Sequence, residues 1–208
     1  MAGRDDWMSV ARSSDEDLKE RILTGFKSGK PFTPYVPTID LPAPLESVLD
    51  FGCGVGRNFP YLKTIARRVE GFDLPPMIDR CRALATEPVD RLASDWTDVR
   101  TRRYGLIFSS LVLQHIETDA CREYVVDFAG MAPAVYLLTR ARTDFGAHVM
   151  DLVADCGLYD AGPCVVVDHD PATHQLRTHG SVPFEAARRA RAEDVHYEVL
   201  LRSRAFEE

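Results

Sequence analysis

The chain has 208 residues, 45% hydrophobic and 27% charged, a size and balance that fit one globular domain with a small appendage and exclude a disordered or fibrous protein. A net charge of -7 repels phosphate backbones at long range, which argues against DNA as a general partner and for a small molecule. No stretch approaches 18 uninterrupted apolar residues and the first ten residues are too polar for a signal peptide, so a cytoplasmic location without membrane contact is expected.

Residues 1–44 read as an N-terminal segment apart from a catalytic domain at 45–208. It holds a helix over Ser14 to Thr24, with Ser14 as N-cap, and then GKPFTPYVPTIDLPAP, whose five prolines forbid a helix and predict an extended arm laid over the domain. Phe32 and Tyr35 in that arm suit either packing anchors or a substrate lid. From Glu46 short apolar runs alternate with helical patterns, the signature of βαβ units and a parallel sheet. Strands are expected at Ser47 to Phe51, Arg68 to Phe72, Arg91 to Ala93, Leu106 to Ser109 and Ala134 to Thr139. Helices are expected at Asn58 to Arg67, Pro76 to Ala85, Asp119 to Gly130 and Phe145 to Cys156.

The last third changes character. CVVVDHDPATHQLRTHG reads as a strand, a polar turn and a second extended piece, and VHYEVLLRS as a final strand, so an antiparallel ending on the parallel sheet is expected. His169, His174 and His179 recur every five residues, but that interval puts successive side chains on opposite faces of a strand, and an ordinary hairpin is the better reading than a metal site. Glu185 to Arg191 reads as a solvated helix face. The five cysteines form no C-x-x-C pair, so reduced thiols are expected, with no disulfide framework and no bound metal.

The informative stretch is VLDFGCGVGRNFPYL. Gly52, Gly54 and Gly56, following a strand that ends near Asp50, allow a tight turn and a ligand's close approach, with a helix N-terminus behind them to receive an anion. A dinucleotide fingerprint requires its third glycine at position 57, where Arg57 stands, and a phosphate-binding P-loop requires G-K-S/T. The first reading is weakened and the second fails.

With its neighbours this loop resembles the class I S-adenosylmethionine-dependent methyltransferases over Glu46 to Leu138. Their first motif stands here as Val48-Leu49-Asp50-Phe51-Gly52-Cys53-Gly54-Val55-Gly56. VEGFD carries Asp73 where the family places an acidic residue that takes both ribose hydroxyls, a bidentate task suited to a carboxylate. LPPMIDRCR, with Leu74 and Met77, is similar to the segment beside the adenosine. ASDWTD offers Asp95 to the adenine amino group and Trp96 as a wall for the base, although Asp95 and Asp98 each also suit a helix cap, and Trp96 suits the core. YGLIFSSLVLQHI is similar to the fourth strand and the loop after it, so Ser109 and Leu111 would pass beside the methionine part.

The resemblance implies a doubly wound Rossmann-like α/β sheet, mostly parallel with an antiparallel C-terminal strand and helices on both faces. S-adenosylmethionine would be the co-substrate, its carboxylate near Arg57 and the loop amides. Methyl transfer to an O or N atom of a small molecule is the expected reaction, with a protein or tRNA methyltransferase, or a cofactor-binding interaction subunit without turnover, as alternatives. His115 is the candidate catalytic base, and orienting a loop by hydrogen bonding is its alternative role. Ser109-Ser110-Leu111-Val112 stands where base- and amide-methylating branches carry Asn/Asp-Pro-Pro-aromatic, which counts against amino methylation of nucleic-acid bases.

Overall fold

The computed structural model describes residues 4–14, 36–170, 175–190 and 195–207. The helix expected over Ser14 to Thr24 and the aromatics Phe32 and Tyr35 lie almost wholly outside these residues. The described elements are helix α1 (Arg4–Ala11), β1 (Leu45–Phe51), α2 (Phe59–Ile65), β2 (Ala66–Phe72), α3 (Pro75–Leu84), β3 (Arg91–Ala93) and α4 (Trp96–Val99). They continue with β4 (Leu106–Ser110), a 3-10 turn at Leu113–His115, α5 (Thr118–Met131), β5 (Ala134–Arg140), α6 (Val149–Asp155), β6 (Leu158–Asp160), β7 (Cys164–Asp170), β8 (Gln175–Val182), α7 (Phe184–Arg189) and β9 (His196–Ser203).

The strands form one sheet in the order β3-β2-β1-β4-β5-β9-β7-β8, with β6 also paired to β9. β1 to β5 are mutually parallel. β9 enters antiparallel between β5 and β7, so the sheet is mixed at its C-terminal side, as the sequence leads one to expect. β1, β4 and β5 are apolar on both faces because both faces are covered. One face carries Val48, Leu106, Phe108, Tyr136 and Leu138 under α2 and α3, and the other carries Leu49, Phe51, Ile107, Val135 and Leu137 under α5, α6 and α7.

Two boundaries differ from expectation for local reasons, and two elements were not expected. α2 stops at Ile65 because Ala66 is already extended and β2 starts there. α6 starts at Val149 rather than Phe145, since Thr143 to Ala147 fold into a tight turn in which Gly146 has φ 85°. α1 and β6 occupy stretches whose polarity or brevity hid them from a periodicity reading.

Residues 36–44 lie outside any regular element, and Ile39 and Leu41 pack on the core of the face that α2 and α3 cover. Their anchor is Glu198, fully buried on β9, whose carboxylate accepts from Thr38 N–H at 2.7 Å, Thr38 hydroxyl at 2.5 Å and Ile39 N–H at 3.3 Å. At the opposite side of the strand ends, Ala11 of α1 packs on Val55 and Met77, and the Arg80 guanidinium donates to the Ser13 carbonyl at 2.5 Å.

Candidate active site

The C-terminal ends of the parallel strands bring the sequence-predicted residues together, the place where open α/β sheets hold ligands. At the end of β1 the chain turns through Gly52, Gly54 and Gly56, all left-handed, with φ of 74°, 57° and 82°. A Cβ on Gly52 would stand 2.4 Å from a Val112 methyl, and one on Gly56 2.5 Å from the Phe59 ring. The turn is therefore pressed against the loop after β4 on one side and the first turn of α2 on the other. Gly52 and Cys53 N–H groups donate to the Phe72 carbonyl at 2.8 and 3.1 Å, lashing the turn to β2.

Asp73 completes that lashing. Its Oδ2 accepts from Gly54 N–H at 2.8 Å and its Oδ1 from Leu74 N–H at 2.7 Å, which leaves each oxygen further acceptor capacity. Burial pushes its carboxyl up to about 6 against the pull of the two amides. Asp50 is fully buried one strand away, with Asn58 Nδ2 at 3.4 and 3.5 Å from its oxygens. Burial raises it to about 7, opposed by Asn58 and by the charge of Arg57. The Arg57 guanidinium spans the gap to β4 and donates to the Ser110 carbonyl at 3.3 Å.

The predicted adenosine side is more structural than its motif suggests. Asp95 is exposed and caps α4, its Oδ1 accepting from Thr97 N–H at 2.9 Å and from the Thr97 hydroxyl at 2.5 Å. These bonds hold its carboxyl below the usual range. Trp96 sits edge-on to Phe51, Phe72 and Tyr124 with ring centroids 5.0 to 5.5 Å apart, and its indole N–H donates to Asp127 at 2.7 Å. Met77 is buried beneath α1 beside Val55, and Leu74 borders the same cluster. Asp98 pairs with Arg91 and Arg102.

At the end of β4 the Ser109 hydroxyl is buried without a hydrogen-bond partner among the described residues, and Leu111 takes a left-handed φ of 62° while its N–H donates to the Leu138 carbonyl at 2.7 Å. A leucine there is strained, a state that clusters at working sites. His115 follows in the 3-10 turn, its Nδ1 2.7 Å from Asp144 Oδ2 and its Nε2 3.2 Å from the Gln114 side-chain nitrogen. Burial lowers the imidazole's pKa, while Asp144 opposes that and Arg140 adds to it.

Sequence reasoning missed Asn58, Gln114, Arg140 and Asp144 in this region. Asn58 and Gln114 lay beside singled-out residues. Asp144 had no signal, because it meets His115 across 29 residues only through the pairing of β4 with β5. His179 pairs with Asp168 at 3.0 Å on an exposed hairpin, His174 lies outside the described residues, and Cys53, Cys81, Cys121, Cys156 and Cys164 are all free.

A family model for the methyltransferase domain matches residues 15–138, more than half of the chain. Among solved structures, the N-methyltransferase NodS from Bradyrhizobium japonicum, in complex with S-adenosyl-L-homocysteine, is 16% identical with a TM-score of 0.52, covering 77% of this chain and 79% of that one. A TehB-like SAM-dependent methyltransferase from Corynebacterium glutamicum is 16% identical with a TM-score of 0.53, covering 79% and 83%. A putative RNA methyltransferase from Pyrococcus horikoshii is 10% identical with a TM-score of 0.53, covering 80% and 76%. No curated protein matches significantly.

Proposed function

Because the chain belongs to the S-adenosylmethionine-dependent methyltransferases, with S-adenosylmethionine as co-substrate, we propose that it transfers the methyl group to an O or N atom of a small molecule. The observation that carries the reading is the Asp73 carboxylate bonded to Gly54 N–H, which joins the glycine turn to the end of β2 and keeps acceptor capacity on both oxygens. The net charge of -7 supports a small acceptor over a nucleic acid. The free cysteines support a cytoplasmic location, and among the described residues no helix is long and apolar enough to cross a membrane.

The residues present fit the co-substrate. Three left-handed glycines shape the turn, with Gly52 and Gly54 only half-buried, and among the described residues the buried Ser109 hydroxyl has no hydrogen-bond partner, an unmet donor and acceptor that a polar ligand atom would satisfy. Asp73 would hold the ribose hydroxyls, Arg57 and the turn amides the carboxylate, with Asp50 behind them, and Leu74, Met77, Asp95 and Trp96 would border the adenosine. When bound, S-adenosylmethionine supplies an electrophilic methyl on a sulfonium.

The chain's own task is positional, since donor, carbon and nucleophile must align. Ser109 at the end of β4 and Leu111 in the loop after it would line the passage of the methyl, and that loop is held in place by the close approach of Val112 to Gly52. Loss of the sulfonium charge needs no metal or acid, so the remaining chemistry is removal of the nucleophile's proton, for which His115 is the candidate.

Calorimetry of wild type and Asp73→Ala with S-adenosylhomocysteine, followed by product release over a panel of phenols, carboxylic acids and amines, tests the reading. Wild type should bind, and Asp73→Ala should lose about 30- to 100-fold in affinity, the worth of two hydrogen bonds to a charged acceptor. Absence of heat with wild type would remove the cofactor reading, and binding without turnover over the whole panel would remove the small-molecule reading.

A further inference from the structure

The loop after β5 supplies none of the residues assigned to the cofactor, yet through Asp144 it holds the His115 imidazole that follows β4. Asp144 is the hub. Its Oδ2 meets His115 Nδ1 at 2.7 Å, its other oxygen pairs with the Arg140 guanidinium, and its N–H donates to the Gln114 carbonyl at 2.7 Å. The turn that carries it is closed by Thr143, whose hydroxyl accepts from Ala147 N–H at 3.1 Å and whose N–H donates to the Ala147 carbonyl at 2.8 Å.

These bonds decide which ring nitrogen carries the proton. A carboxylate only accepts, so Nδ1 must donate to it. Gln114 gives an independent reading of the other nitrogen. The Arg140 N–H donates to Gln114 Oε1 at 2.8 Å, which fixes that atom as the amide oxygen and turns the amide nitrogen, a donor, toward His115 Nε2 at 3.2 Å. Nε2 must therefore accept. Two separate partners, one on each side of the ring, specify the same neutral tautomer.

We propose that Asp144 is the positioning residue for methyl transfer, holding His115 as the Nδ1–H tautomer so that Nε2 stands as the proton acceptor beside the acceptor substrate. This rests on the proposed small-molecule methyl transfer. A nucleophile's O–H or N–H displaces the Gln114 amide from Nε2 and passes its proton there as the carbon bond forms. The cationic ring that results keeps its Nδ1–H on the Asp144 carboxylate. The proton leaves the nucleophile for Nε2, the methyl carbon passes from sulfur to the nucleophile with the C–S electron pair remaining on sulfur, and the methylated acceptor, S-adenosylhomocysteine and imidazolium are the products before the ring returns its proton to water. Asp144 pairs with Arg140 within this cluster, and that pairing leaves the carboxylate ionised through the cycle.

Asp144→Asn separates this role from a structural one. Arg140 still requires an acceptor at position 144, so the asparagine oxygen faces Arg140 and its NH2 faces His115. Nδ1 is then forced to accept, and the proton moves to Nε2. Long-range proton–nitrogen NMR on histidine-labelled protein should show Nδ1–H with bare Nε2 in wild type and the reverse in Asp144→Asn, with S-adenosylhomocysteine affinity unchanged in both.

On the acceptor found in the panel, kcat of Asp144→Asn should fall about 100-fold, while KM for S-adenosylmethionine stays within about twofold. Nε2–H in wild type, an unchanged tautomer in the variant, or equal kcat overturns the proposal. A wild type that shows the Nδ1–H ring and binds S-adenosylhomocysteine but methylates nothing overturns instead the small-molecule reading on which it rests, and the catalytic role of Asp144 falls with it.

Discussion

Asp50, fully buried near the end of β1, and Asp73, half-buried just after the neighbouring β2, are acids whose protonation ties the site to pH. Burial places them at about 7 and about 6, above the ordinary 3.8, so the folded chain binds protons that the unfolded chain releases. Stability of the ligand-free protein therefore falls as pH rises from about 4 through 7. Asp50→Asn removes that cost. Its melting temperature should exceed wild type at pH 8 and match it at pH 4, a difference worth about 2 kcal/mol at the higher pH, read by thermal scans in paired buffers. Asp73 makes the opposite demand on binding, since ribose hydroxyls donate to the ionised form. S-adenosylhomocysteine affinity should rise about tenfold per pH unit up to pH 6 and then level, and a flat profile would remove Asp73 from the ribose.

Among the elements, the glycine turn and the loop after β4 are one mechanical unit. Gly52→Ala sets a Cβ against Val112 and places an alanine at φ 74°, so it should cost about 2 kcal/mol in denaturant titrations and weaken cofactor binding. Adding Val112→Ala should restore the part due to collision and leave the part due to backbone strain, about half.

The parallel strands and this turn were legible in the sequence because both obey local rules, apolar runs covered on two faces and glycines where φ is positive. The adenosine side was less so. Asp95 satisfied a motif and a helix cap with the same carboxyl, and Trp96 satisfied a motif and an aromatic cluster with the same ring. Local spacing cannot separate such pairs of roles. The Asp144–His115 bond was invisible for a different reason, since it exists only where β4 and β5 lie side by side.

On the scale of the molecule, both ends of the N-terminal segment are tied down at described residues. α1 rests on Val55 and Met77 next to the glycine turn, so deletion of residues 1–13 should weaken S-adenosylhomocysteine binding at least about tenfold without changing the circular dichroism of the sheet. Unchanged affinity would show that α1 is a passive cover. The far anchor is Glu198. Glu198→Ala removes three hydrogen bonds to a buried carboxylate, while exposed Thr38 can turn its donors to water, so it should cost about 1–2 kcal/mol, with faster proteolysis between residues 36 and 44, whereas Glu198→Gln should lose less.

The same glutamate has a temporal consequence. β9 is the last strand in chain order but takes an interior place, between β5 and the β7–β8 hairpin, and its Glu198 receives Thr38 across 160 residues of sequence. During synthesis β5 is left as an open edge and the arm has nothing to hold until β9 emerges. Completion of the sheet waits on the synthesis of β9, and a nascent chain cut short before His196 exposes a strand edge able to pair with another copy of itself.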